Sequence, residues 1–85
     1  MSQQIEKETQ VTVDGSVRFA QKALRFHRQA DRLNAIKYAK LAVECAPDND
    51  RHWHLLGVIY QHQGNNEAAA NYFTQAIAIN DQEFI

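Results

Sequence analysis

The sequence predicts an all-α protein, two stacked antiparallel helical hairpins that make a fragment of an α-solenoid. Three observations point there. Glycine and proline are scarce, with three and one among 85 residues. Apolar residues recur at three- and four-residue intervals rather than in alternation, the period of a helix. The breaking signals leave four short helices joined by tight links, which favours antiparallel neighbours.

The first helix is expected from about Val17 to Gln29, with Ser16 as N-cap after the break at Asp14 and Gly15. The second runs from Arg32 to about Cys45, capped by Asp31 and closed by Pro47. The stretch "PDND" then makes a turn, and Asp50 caps a third helix reaching about Gln63. "GNN" breaks the pattern, Asn65 caps, and a fourth helix continues to about Asn80. Residues 1–15, "MSQQIEKETQVTVDG", are polar and carry no helical stripe, so they are expected to be disordered. Residues 16–85 hold two units, 16–49 and 50–83, with a two-residue C-terminal end.

The chain is one small domain. At 45% hydrophobic and 22% charged residues its composition is that of an ordinary soluble protein. No apolar run approaches the ~20 residues of a membrane span, and the first ten residues lack the pattern of a signal peptide. No membrane partner and a cytoplasmic location are therefore expected. A single cysteine, Cys45, excludes an internal disulfide and reads as a small buried hydrophobe. Net charge is -1, but Ser16 to Pro47 carries Arg18, Lys22, Arg25, Arg28, Arg32, Lys37 and Lys40 against Asp31 and Glu44. From Asp48 to the end there is Arg51 against Asp48, Asp50, Glu67, Asp81 and Glu83. Such polarity favours head-to-tail self-association or steers a charged partner.

Repetition is the strongest signal. A shift of 34 residues aligns Phe19 with Trp53, Phe26 with Tyr60, Ala35 with Ala69, Tyr38 with Tyr72 and Ala42 with Ala76. The second unit, "WHLLGVIYQHQGNNEAAANYFTQA", resembles the tetratricopeptide repeat signature, with Trp53, Leu56, Gly57, Tyr60, Gly64, Ala69, Phe73 and Ala76 in its places. The first unit fits less well, through Phe19, Lys22, Ala23, Phe26, Ala30, Ala35, Ala39 and Ala42, with Pro47 at the closing proline; Asp81 stands where that proline would recur.

The spacing carries physical sense. Gly57 and Ala69 are small where two antiparallel helices must cross closely. Trp53, Leu56 and Tyr60 form one stripe, and Phe73 and Ala76 continue it on the partner helix. Arg18, Lys22, Arg25 and Gln29 share one face of the first helix and read as a solvated end face. Nucleic-acid binding is not expected, because the domain is too weakly basic and no exposed aromatic series accompanies the stripe. "EAAANYFTQAIAI" is apolar almost all round, so an uncovered patch of Ala70, Tyr72, Ile77, Ile79, Phe84 and Ile85 is expected to self-associate or dock a partner.

No catalytic constellation stands out, and an enzyme is not expected. His52 and His54 point to different sides, and His54 and His62 are eight apart, so no chelate forms within one helix. Only an assembly of His27, His54 and His62 across helices would bind a metal. The reading retained is no metal site and no cofactor. The resemblance implies a groove lined by the first helix of each hairpin and holding a peptide or helix. Here those positions are Ala20, Leu24, His27, Arg28, Arg51, His54, Leu55, Val58 and Gln61, flanked by Val17 and His62. The Lys and Asn clamp by which some relatives hold a C-terminal carboxylate is replaced by Ala20, Leu24 and Leu55. The expected function is a protein-protein interaction module, adaptor or chaperone-like; the alternative is a homo-oligomeric scaffold without a groove ligand.

Overall fold

The computed structural model describes residues 11–83, with side chains from 15 to 81, and these fold into four α-helices: α1 Val11–Arg28, α2 Arg32–Cys45, α3 Asp50–His62 and α4 Asn66–Glu83. Helices α1 and α2 form one hairpin and α3 and α4 the other, with α3 laid across the first pair. No described helix is long and apolar enough to cross a membrane.

Two helix starts differ from expectation. Helix α1 begins six residues early, so Asp14 and Gly15 lie inside it and Ser16 is not its N-cap. A glycine within a helix costs about 1 kcal/mol relative to alanine; Gly15 and Ser16 are both buried, and packing of that turn outweighs the loss. Residues 11–15 of the segment expected to be disordered are thereby helical, and residues 1–10 lie outside the described residues. Helix α3 is capped by Asn49 rather than Asp50: Asn49 Oδ1 accepts from the Arg51 N–H at 3.0 Å. Asp50 becomes the first helical residue, where a carboxylate meets the positive end of the helix dipole.

The other caps fall where the sequence places them. Asp31 Oδ1 accepts from the Asn34 N–H at 3.4 Å while Asn34 Nδ2 donates to Oδ2 at 2.9 Å. Asn65 Oδ1 accepts from the Ala68 N–H at 3.1 Å. Helices α1 and α3 end in the same way, 34 residues apart. Asp31 N–H donates to Phe26 O at 2.9 Å and Ala30 N–H to His27 O at 3.0 Å; Asn65 N–H donates to Tyr60 O at 2.9 Å and Gly64 N–H to Gln61 O at 3.0 Å. This double bond pattern requires a left-handed residue just beyond the helix. Gly64 supplies it at φ 85°, but in the first hairpin Ala30 is held at φ 62°. A non-glycine residue there costs roughly 1–2 kcal/mol. Ala30→Gly is therefore expected to raise the unfolding free energy measured in urea and Gly64→Ala to lower it, each by about 1 kcal/mol; opposite signs, or no change in either, would refute the strain.

The aromatic core repeats at the same period. Phe26 stacks on Tyr38 at 5.5 Å between ring centroids, and Tyr60 on Tyr72 at 5.3 Å. Phe19 meets Tyr38 at 6.0 Å, and Trp53 meets Tyr72 at 6.1 Å. Trp53 adds a bond of its own, Nε1–H donating to Pro47 O at 2.8 Å, which ties α3 to the link before it. Between these pairs the helices approach through small residues: Ala23, Ala35, Ala39 and Ala42 are wholly buried and Ala69 nearly so. A Cβ on Gly57 would stand 2.6 Å from Cε1 and 2.7 Å from Cδ1 of Phe73, so the ring lies directly on the α3 backbone. The hairpins join through Ala39 and Val43 of α2, Ala23 of α1, and Leu56 and Ile59 of α3, one continuous apolar cluster. Cys45 is a free thiol and only half-buried, less enclosed than expected.

Candidate functional site

Three clefts lie along the faces that the two hairpins leave open. The first runs between α1 and α3. Val17, Ala20 and Leu24 face Arg51 and Leu55 across about 320 Å³, with Gln21, Asn49 and His52 at its edges. Its floor is apolar and its one formal charge, Arg51, is positive. Of the expected groove residues it gathers Ala20, Leu24, Arg51 and Leu55. His54 turns away, its ring 5.2 Å from that of Phe73. At 100° per residue, His54 is rotated from both Arg51 and Leu55 and belongs to the next face. His27 lies at the far end of α1, and Arg28, Val58 and Gln61 line none of the three clefts.

The second cleft, about 450 Å³, lies between α3 and α4 and is lined by Asp50, Arg51, His54, Phe73, Ala76, Ile77 and Asn80. Of the residues expected to self-associate, Ile77 lies in it and is 60% exposed, a large apolar side chain left in water. Ala70 is exposed and Ile79 half-buried. Tyr72 is taken up inside its own hairpin between Tyr60 and Trp53. Phe84 and Ile85 lie outside the described residues. The sequence reading missed Asp50, Phe73, Ala76 and Asn80 as walls of this cleft, although the 34-residue shift held the signal. Of their counterparts in the first hairpin, Ser16 meets His52 of α3 and Ala39 shares a cluster with Leu56 and Ile59, while Val43, the counterpart of Ile77, is only 7% exposed there.

The third cleft, about 220 Å³, sits where α1 and α3 end, lined by His27, Ala30, Arg32, His62 and Gln63. The imidazoles of His27 and His62 lie edge to face, 4.9 Å apart. Burial, and then the neighbouring His62, lower the pKa of His27. Gln63 Nε2 is buried there without a hydrogen-bond partner.

His52 stands at the opposite end of the same seam. It is 5% exposed, its Nε2 3.1 Å from Ser16 Oγ on α1 and 3.4 Å from Asn49 Nδ2. Burial lowers its pKa. The basic face expected to be solvated is so: Arg18, Lys22, Arg25 and Gln29 are all exposed, with Lys22 Nζ 5.0 Å above the Tyr38 ring. Among the described residues no group of three or more His, Cys, Asp or Glu side chains could hold a metal ion, and His54 is not brought to His27 and His62.

Compared with known families, residues 53–83 match the tetratricopeptide repeat model. Curated proteins and solved structures give no match to the chain.

Proposed function

We infer, from a tetratricopeptide repeat at residues 53–83 and a preceding hairpin with the same aromatic pairs and helix ends, that this chain works by binding protein. The repeat is of a kind that mediates protein-protein contacts, and two surfaces are available for it here. The α3/α4 cleft docks a helix, and the α1/α3 groove holds a peptide or helix on its floor of Ala20, Leu24 and Leu55. The observation that carries the reading is Ile77. It is 60% exposed on a surface whose counterpart in the first hairpin is already filled by α3, so the molecule contains its own example of what fits there.

The charge distribution favours a second copy as occupant of the α3/α4 cleft. Helix α1 is basic along its exposed face, whereas the acids at the cleft are Asp50, which lines it beside Arg51, and Asp81, exposed near the end of α4. Packing α1 of one molecule against α3 and α4 of the next continues the stacking head to tail and pairs opposite charges. The α1/α3 groove remains open in such an arrangement, which is what an adaptor requires.

Light scattering at micromolar concentration tests this directly. The unsubstituted chain is expected to be larger than a monomer, Ile77→Glu to be monomeric, and Leu24→Glu to keep the assembly while losing peptide capture. A well-behaved monomer before substitution, or an assembly unaffected by Ile77→Glu, overturns the self-association.

A further inference from the structure

We propose that the cleft where α1 and α3 end binds a phosphoryl group, held by Arg32, Gln63 and the imidazoles of His27 and His62. These side chains, with Ala30, make the lining of about 220 Å³. They come from α1, α2, α3 and the residue that caps α3, so the site exists only once the two hairpins have met.

The lining is rich in donors. A guanidinium fork, a carboxamide and two imidazoles offer N–H groups, and no carboxylate is among them. Among the described residues, Gln63 Nε2 is the one buried side-chain polar atom without a hydrogen-bond partner. An unpaired buried donor is costly, and this nitrogen gives up no bond when the amide turns outward into the cleft. Arg32 is exposed. Its stem lets the guanidinium swing over the mouth, where the planar fork matches two phosphoryl oxygens.

The ring geometry selects the ligand. His27 and His62 meet edge to face with centroids 4.9 Å apart, so their in-plane N–H groups point in different directions. Donors arranged that way do not converge on one atom. A phosphoryl group presents three acceptor oxygens around its phosphorus and takes bonds from several directions. A carboxylate has two oxygens in one plane and would leave part of the set unused.

Helix C-termini repel an anion through their bare carbonyls, but here the last turns are closed. Phe26 O accepts from the Gln29 and Asp31 N–H groups and His27 O from Ala30; Tyr60 O accepts from Gln63 and Asn65 and Gln61 O from Gly64. Asp31, the acid next to Arg32 in the chain, has both oxygens on Asn34. The charged or titratable groups lining the cleft are therefore His27 from α1, Arg32 from α2 and His62 from α3. Burial and then the neighbouring His62 lower the pKa of His27. A bound dianion acts the other way, because an adjacent opposite charge favours the imidazolium.

NMR of the full chain during titration with inorganic phosphate, at pH 7.5 and constant ionic strength, tests the site. The expected result is a saturable shift of the His27 and His62 imidazole signals together, with His54 still. The titration midpoint of His27 should also rise when phosphate is bound. Acetate at equal ionic strength should bind at least about fivefold more weakly, since it forfeits a charge-assisted hydrogen bond. Arg32→Gln, at an exposed position outside the core, should weaken phosphate by about tenfold or more, and Gln63→Leu by about fivefold. A phosphoserine tripeptide separates the sources, and either result upholds the site: tighter binding of the ester marks a phosphorylated partner, tighter binding of the free ion marks phosphate itself. No saturation by tens of millimolar phosphate, acetate binding as well as phosphate, or unchanged affinity in Arg32→Gln overturns the proposal.

Discussion

Ile59→Ala is expected to remove about 2–5 kcal/mol of stability, the range for truncating a fully buried aliphatic side chain. Ile59 is wholly buried and belongs to the cluster in which Leu56 of α3 meets Ala23 of α1 and Ala39 and Val43 of α2. Its neighbours Ala23, Ala35 and Ala39 have no longer side chain with which to fill the vacated space. The lost methyl groups therefore leave a cavity as well as a transfer penalty. Domains carry only about 5–15 kcal/mol in total, so this one change removes a large fraction. At about 4–8 °C per kcal/mol for a chain of this size, the melting midpoint is expected to fall by roughly 10 °C or more. Ile77→Ala, with the same chemistry at an exposed site, should move the monomer's stability by no more than about 0.5 kcal/mol. Similar losses from both substitutions would show that the seam between hairpins is not where the core lies.

Acidification is expected to act on the same seam through His52. The unfolded histidine titrates near 6.5, and burial holds the folded imidazole below that. Above about pH 6.5 both states are neutral at this residue and His52 adds no pH dependence. As pH falls further the unfolded chain takes up a proton that the folded one resists. Stability then drops by at most about 1.4 kcal/mol per pH unit for one proton, until the folded residue is protonated as well. Urea midpoints at pH 7.5 and 5.5 should therefore fall with acid, more shallowly in His52→Gln. His27 is shifted in the same direction and supplies part of the slope that remains. A rise in stability on acidification, or an unchanged slope in His52→Gln, would contradict the assignment.

Features set by one repeat's own spacing were legible in the sequence. Asp31 and Asn65 cap where expected because capping depends on residues three apart. The 34-residue shift aligned Phe26 with Tyr60 and Tyr38 with Tyr72, and the need for a small residue at Gly57 was legible from the close helix crossing. That Phe26 stacks on Tyr38 and Tyr60 on Tyr72 was not. What escaped depends on partners brought together only by the fold. Ser16 reads locally as a cap after a glycine break, but its neighbour is His52, 36 residues on. His27 and His62 are not equivalent under the shift, which pairs His27 with Gln61, so their meeting depends on how α3 is turned against α1. Tyr72 reads as part of an apolar patch until the stack with Trp53 and Tyr60 draws it inward. The α3/α4 cleft was visible only in part, because α4 is apolar on most sides and its sequence does not tell which side the hairpin covers.

The aromatic stacks and buried alanines make each hairpin a stiff body, and contacts between α1 and α3 are far sparser than those within either pair. Among the described residues every contact between the hairpins runs through α3, and α4 stands clear of the first hairpin. The helix that walls the α1/α3 groove is thus also the one that carries the seam, so any change in the groove's width must repack Leu56 and Ile59 against Ala23, Ala39 and Val43.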